Sequence, residues 1–147
     1  MNTINFYSQN EEYGCFSNFS PHPVYIDNVC YSTTEHYFQS QKFTDEKYRL
    51  KIIKAETPSK AATLGRSRSI PLRKDWERIK DGIMLLAVRT KVEQHKDVYD
   101  TLMSTGNAVL VEHTKNDSYW GDGGDGSGRN QLGKTLMKVR EELKIQK

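Results

Sequence analysis

A glycine-rich segment near the carboxyl end constrains this chain more than any other feature. Six of the ten glycines lie between Gly121 and Gly133. Glycine loses more backbone freedom on folding than any other residue, so a run this dense disfavours helix and strand. The segment therefore predicts a loop, although it begins with Tyr119 and Trp120, whose rings are costly to leave in water. A polar backbone beside two aromatic rings indicates a loop that binds a flat, polar ligand.

The same loop matches two short nucleotide-binding patterns. Residues Gly128–Thr135 fit G-x-x-x-x-G-K-T, and Gly121–Gly126 fit G-x-G-x-x-G. Both patterns require a buried strand directly before the glycines and a helix directly after them. A helix is expected from about Asn130, but polar residues and glycines stand where the strand would have to be. A phosphate-loop nucleotidase is therefore only an alternative, in which Lys134 is the essential residue.

Size and charge favour one domain with a small anionic ligand. The chain has 147 residues, the length of a single domain. Its net charge is +3 and its pI about 8.8, with a modest basic cluster between Arg66 and Arg78. A cluster this short suits a phosphate or another small anion better than a long nucleic-acid track.

Cysteine and histidine usage points away from metal sites and disulfides. The two cysteines and four histidines do not stand at metal-ligand spacing. No stretch approaches the roughly 20 apolar residues of a membrane span, and no basic and apolar leader is visible at the start. We expect a cytoplasmic protein with reduced thiols, and no metal, cofactor, membrane contact or obligate protein partner.

Local signals predict a mainly α fold, a single compact helical domain over residues 1–147 with a small N-terminal β element. Strand-like runs are expected at 4–7 and 24–29, the second with a turn at Asp27–Asn28, and an extended run at 108–112. Helices are expected at about 33–43, 45–55, 57–65, 75–94, 98–104 and 131–143, several begun by capping residues. In the long helix the expected core positions are Ile79, Ile83, Leu86, Val88 and Val92.

One of these helices carries an unusual polar face. Glu35, Gln39 and Lys42 stand at i, i+4 and i+7 and share one side of a helix that is otherwise aromatic. Such a group is either a solvated ion-pair network or the beginning of a site. The spacing alone leaves both interpretations open.

Several separate motifs resemble the NADAR family, and in particular its YbiA-like branch of N-glycosidases. They are Phe16–Phe19 (FSNF), Thr34–Phe43 (TEHYFQSQKF), Gly65–Arg66, the region around Trp76, Leu110–Glu112 and the glycine segment Asp117–Gly133. They follow in order over nearly the whole chain, from about Phe6 to about Leu143. The resemblance implies a compact, mainly helical domain.

It also implies cleavage of an N-glycosidic bond to a ribose phosphate. In the YbiA-like branch the substrates are ribosylamine phosphates, the early intermediates of riboflavin biosynthesis, and ribose 5-phosphate is released; other members remove ADP-ribose from guanine in nucleic acid. Such cleavage passes through an oxocarbenium-like transition state that needs nearby negative charge, activated water and a proton for the leaving nitrogen. The alternative from another class is a non-catalytic ADP-ribose or nucleotide reader, which would not need Glu35.

The resemblance implies roles for individual residues. Glu35 is the base or electrostatic stabiliser, Lys42 polarises the ribose or attacks C1′ to form an imine, and Asp117 protonates or orients the leaving base. Trp120 offers a stacking surface. Substrate binding is expected of Asn18, Phe19, Gln39, Arg66, Gly121, Gly123, Asp125 and Asn130, with Arg66 and the backbone N–H groups of the glycine segment holding phosphate. Structural roles remain open for Asn18 as a buried capping residue, Arg66 as part of an exposed helix end, Asp117 as a turn former and Trp120 as a loop anchor. We expect Asn130 to cap the last helix, whatever its other role.

Overall fold

The computed structural model describes residues 2–146, which form six α-helices, four short strands and one 3-10 turn at Gly14–Phe16. The helices are α1 (Thr34–Ser40), α2 (Glu46–Ile53), α3 (Pro58–Arg66), α4 (Trp76–Gln94), α5 (Lys96–Ser104) and α6 (Gln131–Ile145); the strands are β1 (Thr3–Phe6), β2 (Val24–Ile26), β3 (Val29–Tyr31) and β4 (Val109–Glu112). The prediction of a mainly α fold with a small β element is confirmed.

Contacts along the chain group these elements into two compact units. The continuous unit is the uninterrupted stretch Asn18–Lys91, which holds β2, β3 and α1 to α3. The split unit combines the stretch up to Ser17 with the stretch from Val92 onward, and so holds β1, α5, β4 and α6. A single domain over the whole chain stays a prediction.

The continuous unit begins with a tight hairpin. Strand β2 pairs antiparallel with β3, with Val24 opposite Tyr31. Asp27 and Asn28 both have positive φ, 52° and 67°, which is the conformation that two-residue hairpins require and that Asn and Asp tolerate. The turn predicted at this position is therefore confirmed. The inner face of the hairpin joins Tyr37 and Ala87 in one buried cluster.

The starts of the first three helices follow the capping signals. The side chains of Thr33, Asp45 and Thr57 each accept the backbone N–H three residues further on. This bond satisfies one of the N–H groups that a helix leaves without a partner at its beginning. Pro58 occupies the first turn of α3, where its missing N–H costs nothing.

The predicted end of α1 is wrong, because the helix stops at Ser40 rather than near Phe43. The carbonyl of Lys42 accepts the Arg73 backbone N–H at 2.8 Å, and the Arg73 guanidinium reaches the Gln41 carbonyl at 3.5 Å. Arg73, a residue far along the chain, therefore binds the carbonyls of Gln41 and Lys42, which would lie in the last turn of a longer helix. Beyond α1, Phe43 packs with Ile52 in the core shared by α2 and α3.

One core position predicted for α4 is also wrong. Met84, Ala87, Val88 and Val92 are buried, whereas Leu86 is 40% exposed. Residues three and four apart share a helix face, and Leu86 lies two positions from Met84, on another side of the helix. Ile79 and Ile83 are only partly buried.

The split unit is organised around a parallel strand pair. Strand β1 pairs with β4 in the register Thr3 to Val109 and Phe6 to Glu112, and α6 packs against β4. The buried positions predicted for the last helix are confirmed: Leu132, Leu136, Val139 and Leu143 are all buried. Arg140 is buried with them, and its guanidinium donates to Thr105 and to the Ala108 carbonyl. Among the described residues, no helix is long and apolar enough to cross a bilayer.

Candidate active site

The first turn of α1 is fixed by the loop that precedes the hairpin. The Glu35 backbone N–H donates to the Asn18 carbonyl at 3.1 Å, and the Thr34 hydroxyl donates to Asn18 Oδ1 at 2.8 Å. The Asn18 amide in turn donates to the Met84 sulfur at 3.5 Å. Asn18 thus ties α1 to α4 and determines where Glu35 lies, which is the buried structural role that remained open for this residue beside substrate binding.

Glu35 and Gln39 form a buried pair on α1. Gln39 Nε2 donates to Glu35 Oε2 at 2.7 Å, and the two residues are only 8% and 7% exposed. The predicted shared face is therefore present. Hydrogen bonds to a carboxylate are stronger than those between neutral groups, so the Gln39 amide holds the Glu35 carboxylate in one orientation.

Lys42 lies beyond the end of α1, so the prediction that it occupies the same helical face is wrong. Its Nζ nevertheless lies 5.7 Å from the centre of the Phe38 ring. Burial lowers the pKa of Lys42 from 10.5 to about 8. The negative charge of Glu35 has a smaller, opposite effect, because it favours the charged amine. Desolvation disfavours the charged form of any amine. Lys42 is therefore a partly desolvated amine, as expected for a lysine that stands between Phe38 and Phe43.

Basic side chains at the carboxyl end of α3 act on the same amine. Arg68 and Arg66 both lower the pKa of Lys42 further by charge repulsion. Both are exposed, with Arg66 donating to the Thr63 hydroxyl at 3.3 Å and Arg68 to the Gly65 carbonyl at 2.8 Å. Arg66 is one of the expected site residues; Arg68 is not, although it belongs to the basic cluster in the sequence and affects the same lysine.

In the split unit, Asp122 organises the glycine segment, and sequence reasoning missed it. Its Oδ1 accepts the backbone N–H groups of Thr114 at 3.0 Å and Gly124 at 2.8 Å. Its Oδ2 lies 2.7 Å from His113 Nδ1, and this hydrogen bond lowers the pKa of Asp122. The signal for this role was an acid inside a glycine run, where a carboxylate can bind several N–H groups at once.

Several backbone donors of the glycine segment already have hydrogen-bond partners within the protein. The N–H groups of Asp122, Gly123 and Gly128 donate to the carbonyls of Glu112, Asp117 and Asp122, respectively. The Gly124 N–H donates to Asp122, as described above. These donors are therefore not left for a phosphate, contrary to the role expected of Gly123 and its neighbours. Gly121 is needed for another reason, since a Cβ there would lie 2.8 Å from the Asp117 carbonyl oxygen.

Asp117 forms the turn that leads into the loop. Its Oδ1 accepts the N–H groups of Tyr119 and Trp120, each at 2.9 Å, which is the turn-forming role that remained open for this residue. Trp120 is half-buried, and its ring meets that of Tyr119 edge-on at 4.9 Å. Asp125 accepts the N–H and the hydroxyl of Ser127 and is exposed.

Asn130 occupies the N-cap position of α6, as predicted, but its side chain forms no capping hydrogen bond with that helix. The residue stands at the N-cap position in the left-handed conformation, with φ of 53°. Its Oδ1 accepts the Glu112 N–H and its Nδ2 donates to the Leu110 carbonyl, both at 2.9 Å. The side chain satisfies the backbone of β4 instead of the helix.

The predicted site residues thus fall into two groups. The continuous unit contains Asn18, Phe19, Glu35, Gln39, Lys42 and Arg66, and the split unit contains Asp117, Trp120, Gly121, Gly123, Asp125 and Asn130. Within the continuous unit, the structure brings Glu35, Gln39 and Lys42 together. Strand β4 ends at Glu112, well before Gly128, so the strand that a phosphate loop requires is missing from that position. Across residues 2–146, His, Cys, Asp and Glu do not cluster in threes that could hold a metal ion.

Comparison with known proteins gives the family. The NADAR domain matches residues 5–144. The chain is 54% identical to N-glycosidase YbiA of Escherichia coli, over 98% of this chain and 90% of that protein, and 47% identical to N-glycosidase Npun_R5314 of Nostoc punctiforme, over 97% and 93%.

Further matches concern longer proteins and a solved structure. The chain is 41% identical to riboflavin biosynthesis protein VVA0006 of Vibrio vulnificus, over 95% of this chain but 38% of that protein. The NMR structure of E. coli YbiA superposes with a TM-score of 0.92 at 52% identity, covering 99% of this chain and 86% of the other. This chain belongs to the NADAR domain family, among its N-glycosidases.

Proposed function

We propose that the protein hydrolyses the C1′–N bond of ribosylamine phosphates, with the early intermediates of riboflavin biosynthesis as substrates and ribose 5-phosphate as a product. The observation that carries the proposal is the buried Glu35–Gln39 pair beside an amine of lowered pKa, Lys42. Relatives of similar length are named N-glycosidases, and two longer relatives, from Vibrio vulnificus and Zea mays, are named riboflavin biosynthesis proteins.

The chemistry of the bond fits these side chains. As the C1′–N bond breaks, positive charge develops on C1′ and on the ring oxygen of the ribose. A carboxylate held in one orientation stabilises that charge without having to reorganise, and it also orients the attacking water. Glu35 supplies this carboxylate, and Gln39 supplies the fixed orientation.

Lys42 has two roles open to it. As a cation it polarises the ribose hydroxyls. As a neutral amine it attacks C1′ while the C1′–N bond breaks, and one amine proton passes to the leaving nitrogen. The C1′–O ring bond then opens, the ring oxygen takes the remaining amine proton, and water hydrolyses the resulting imine to free lysine and ribose 5-phosphate. We propose that the exposed guanidinium groups of Arg66 and Arg68 attract the 5′-phosphate, because guanidinium binds phosphate oxygens in pairs. The reaction in this proposal needs neither metal nor cofactor and takes place in the cytoplasm.

The test is a comparison of two substrates. Purified protein is incubated with the ribosylamine phosphates formed after GTP ring opening and, separately, with ADP-ribosylated guanine in DNA. Free ribose 5-phosphate and free ADP-ribose are then quantified. We expect ribose 5-phosphate to be released, and the Glu35→Gln protein to release none. Release of ADP-ribose alone would move the protein to the other substrate class, and binding without release from either substrate would identify a non-catalytic reader.

A further inference from the structure

A glycine in the third helix lies against the buried amide of the first. Gly65 is in α3, and its φ is not positive, so its conformation does not require glycine. Alanine is the better helix former at such a position. A Cβ built on Gly65, however, would lie 1.9 Å from Gln39 Oε1, 2.6 Å from Gln39 Cδ and 3.1 Å from Gln39 Cβ. The missing side chain therefore leaves the space that the Gln39 amide occupies.

The orientation of that amide follows from Glu35. A carboxylate accepts hydrogen bonds, so the amide must direct Nε2 toward Glu35, as it does at 2.7 Å. Oε1 then faces Gly65, and it is one of the buried side-chain atoms in the described residues that have no hydrogen-bond partner. A buried acceptor without a partner destabilises the fold. The loss of stability from this unpaired oxygen is explained if the Gln39 amide is kept in this orientation in order to hold the Glu35 carboxylate.

We infer that Gly65 is a positioning residue for the reaction: by leaving room for the Gln39 amide, it keeps that amide bonded to Glu35. This inference rests on the proposed function, in which Glu35 stabilises the transition state. Gly65 has no side chain that could take part in the reaction, and in this inference it acts through Gln39. A methyl group at position 65 would push the amide aside and release the carboxylate from its fixed orientation.

The experiment compares alanine substitutions at two helical glycines. Gly65→Ala should lower kcat by about 10- to 100-fold, the scale of a misplaced catalytic group, while KM changes by less than about threefold. Gly82→Ala in α4 is the matched control, because a Cβ there would have no neighbour within 4 Å. The control should keep wild-type kcat and unfold at the same temperature as the wild type or slightly higher.

A double-mutant cycle separates positioning from general damage. In the Gln39→Ala protein the amide is gone and only the Cβ at position 39 remains, 3.1 Å from a Cβ at position 65. A shift of a few tenths of an ångström relieves that contact, so adding Gly65→Ala should lower kcat little further. If Gly65→Ala alone does not fold, the same reasoning predicts that the double variant does. A loss in the Gln39→Ala background as large as in the wild type would overturn the inference, as would wild-type kcat in Gly65→Ala or a double variant that fails to fold.

A spectroscopic readout keeps this inference distinct from the proposed function. In ¹⁵N spectra the Gln39 side-chain NH₂ should be protected from solvent exchange in the wild type and in Gly82→Ala, and unprotected in Gly65→Ala and in Glu35→Ala. Retained protection in Gly65→Ala contradicts the positioning role even if the protein is active. If the wild type hydrolyses no ribosylamine but the NMR pattern holds, the proposed function fails and the Gly65–Gln39–Glu35 coupling stands.

Discussion

The position of Glu35 depends on three features of the structure: helix α1, which Thr33 caps, the Gln39 amide at its carboxylate, and the Asn18 carbonyl at its N–H. Two of these were visible in the sequence, as a capping threonine and an i, i+4 pair. The third was not, because nothing in a sequence shows that a carbonyl in an irregular segment will meet a particular helix end.

Replacing Glu35 by glutamine should abolish turnover and change ligand affinity by less than about tenfold. A group that stabilises charge only in the transition state adds little to ground-state binding, and glutamine preserves the size of the side chain. Single-turnover release of ribose 5-phosphate measures the first effect, and calorimetric titration with ribose 5-phosphate the second. Full activity of Glu35→Gln would remove Glu35 from catalysis and favour the reader.

Lys42→Ala should lose at least about a hundredfold in kcat, the usual scale for one acid–base or electrostatic group. The pH profile of the wild type distinguishes its two roles, since the pKa of Lys42 is about 8. A nucleophilic amine must be neutral, so kcat would rise as pH increases through about 8; a polarising ammonium would make kcat fall over the same range. Borohydride added during turnover, followed by intact mass, traps the imine if it forms. Near-normal activity of Lys42→Ala would exclude Lys42 from the site.

The same lysine should weaken the fold at neutral pH. Its pKa is lowered from 10.5 to about 8 by burial, so between these values the unfolded chain binds more protons and the stability of the wild type rises with pH. Lys42→Met removes the unfavourable burial of a charged amine, and the variant should be about 1–3 kcal/mol more stable than the wild type at pH 7. The difference should shrink as pH rises from 8 toward 10.5. Urea unfolding at pH 7 and pH 10 measures it; a Met variant that is less stable at pH 7 contradicts the prediction.

At the scale of elements, helix starts were more predictable than helix ends. Thr33, Asp45 and Thr57 bond within their own first turns, so sequence alone locates them. The end of α1 depends on Arg73, a residue from another part of the chain. Asn130 shows the same limit, because its side chain bonds to β4 rather than to the helix it precedes. Local signals are reliable where the partner is local.

The glycine segment is an element defined by hydrogen bonds to side chains rather than by a ladder. The side chains of Asp117 and Asp122 together accept three of its backbone N–H groups, and Asp122 also accepts that of Thr114, just before the segment. The sequence predicted the loop from its glycines and a ligand from its aromatic rings. It did not show that the acids would hold the loop together, because an acid beside glycines is equally compatible with an exposed, ligand-binding carboxylate.

Trp120→Ala should weaken ligand binding more than Lys134→Ala does. A half-buried indole offers a stacking face worth roughly 1–3 kcal/mol per base in nucleic-acid sites, whereas Lys134 is exposed on the first turn of α6. Both variants are titrated with the released nucleobase product and with ribose 5-phosphate, and thermal unfolding checks that each is folded. If Lys134→Ala is the more damaging change, the phosphate-loop nucleotidase becomes the better interpretation.

For the molecule as a whole, we expect activity to survive EDTA. The reaction proposed uses a carboxylate, water and an amine, and none of these steps draws on a bound metal. Initial rates with and without excess EDTA provide the measurement. Activity that is lost and then restored by a divalent cation would show that the acids near Asp122 bind metal.

The pairing of β1 with β4 has a consequence for how the chain is made. The continuous unit leaves the ribosome as one uninterrupted stretch, but β1 has to wait for a partner synthesised about a hundred residues later. At roughly 5–20 residues per second, the delay is about 5–20 s. For that time β1 presents unpaired N–H and C=O groups to any other extended segment in reach. The nascent protein therefore passes through an interval in which all residues of the continuous unit have been synthesised while β1 still lacks its partner strand.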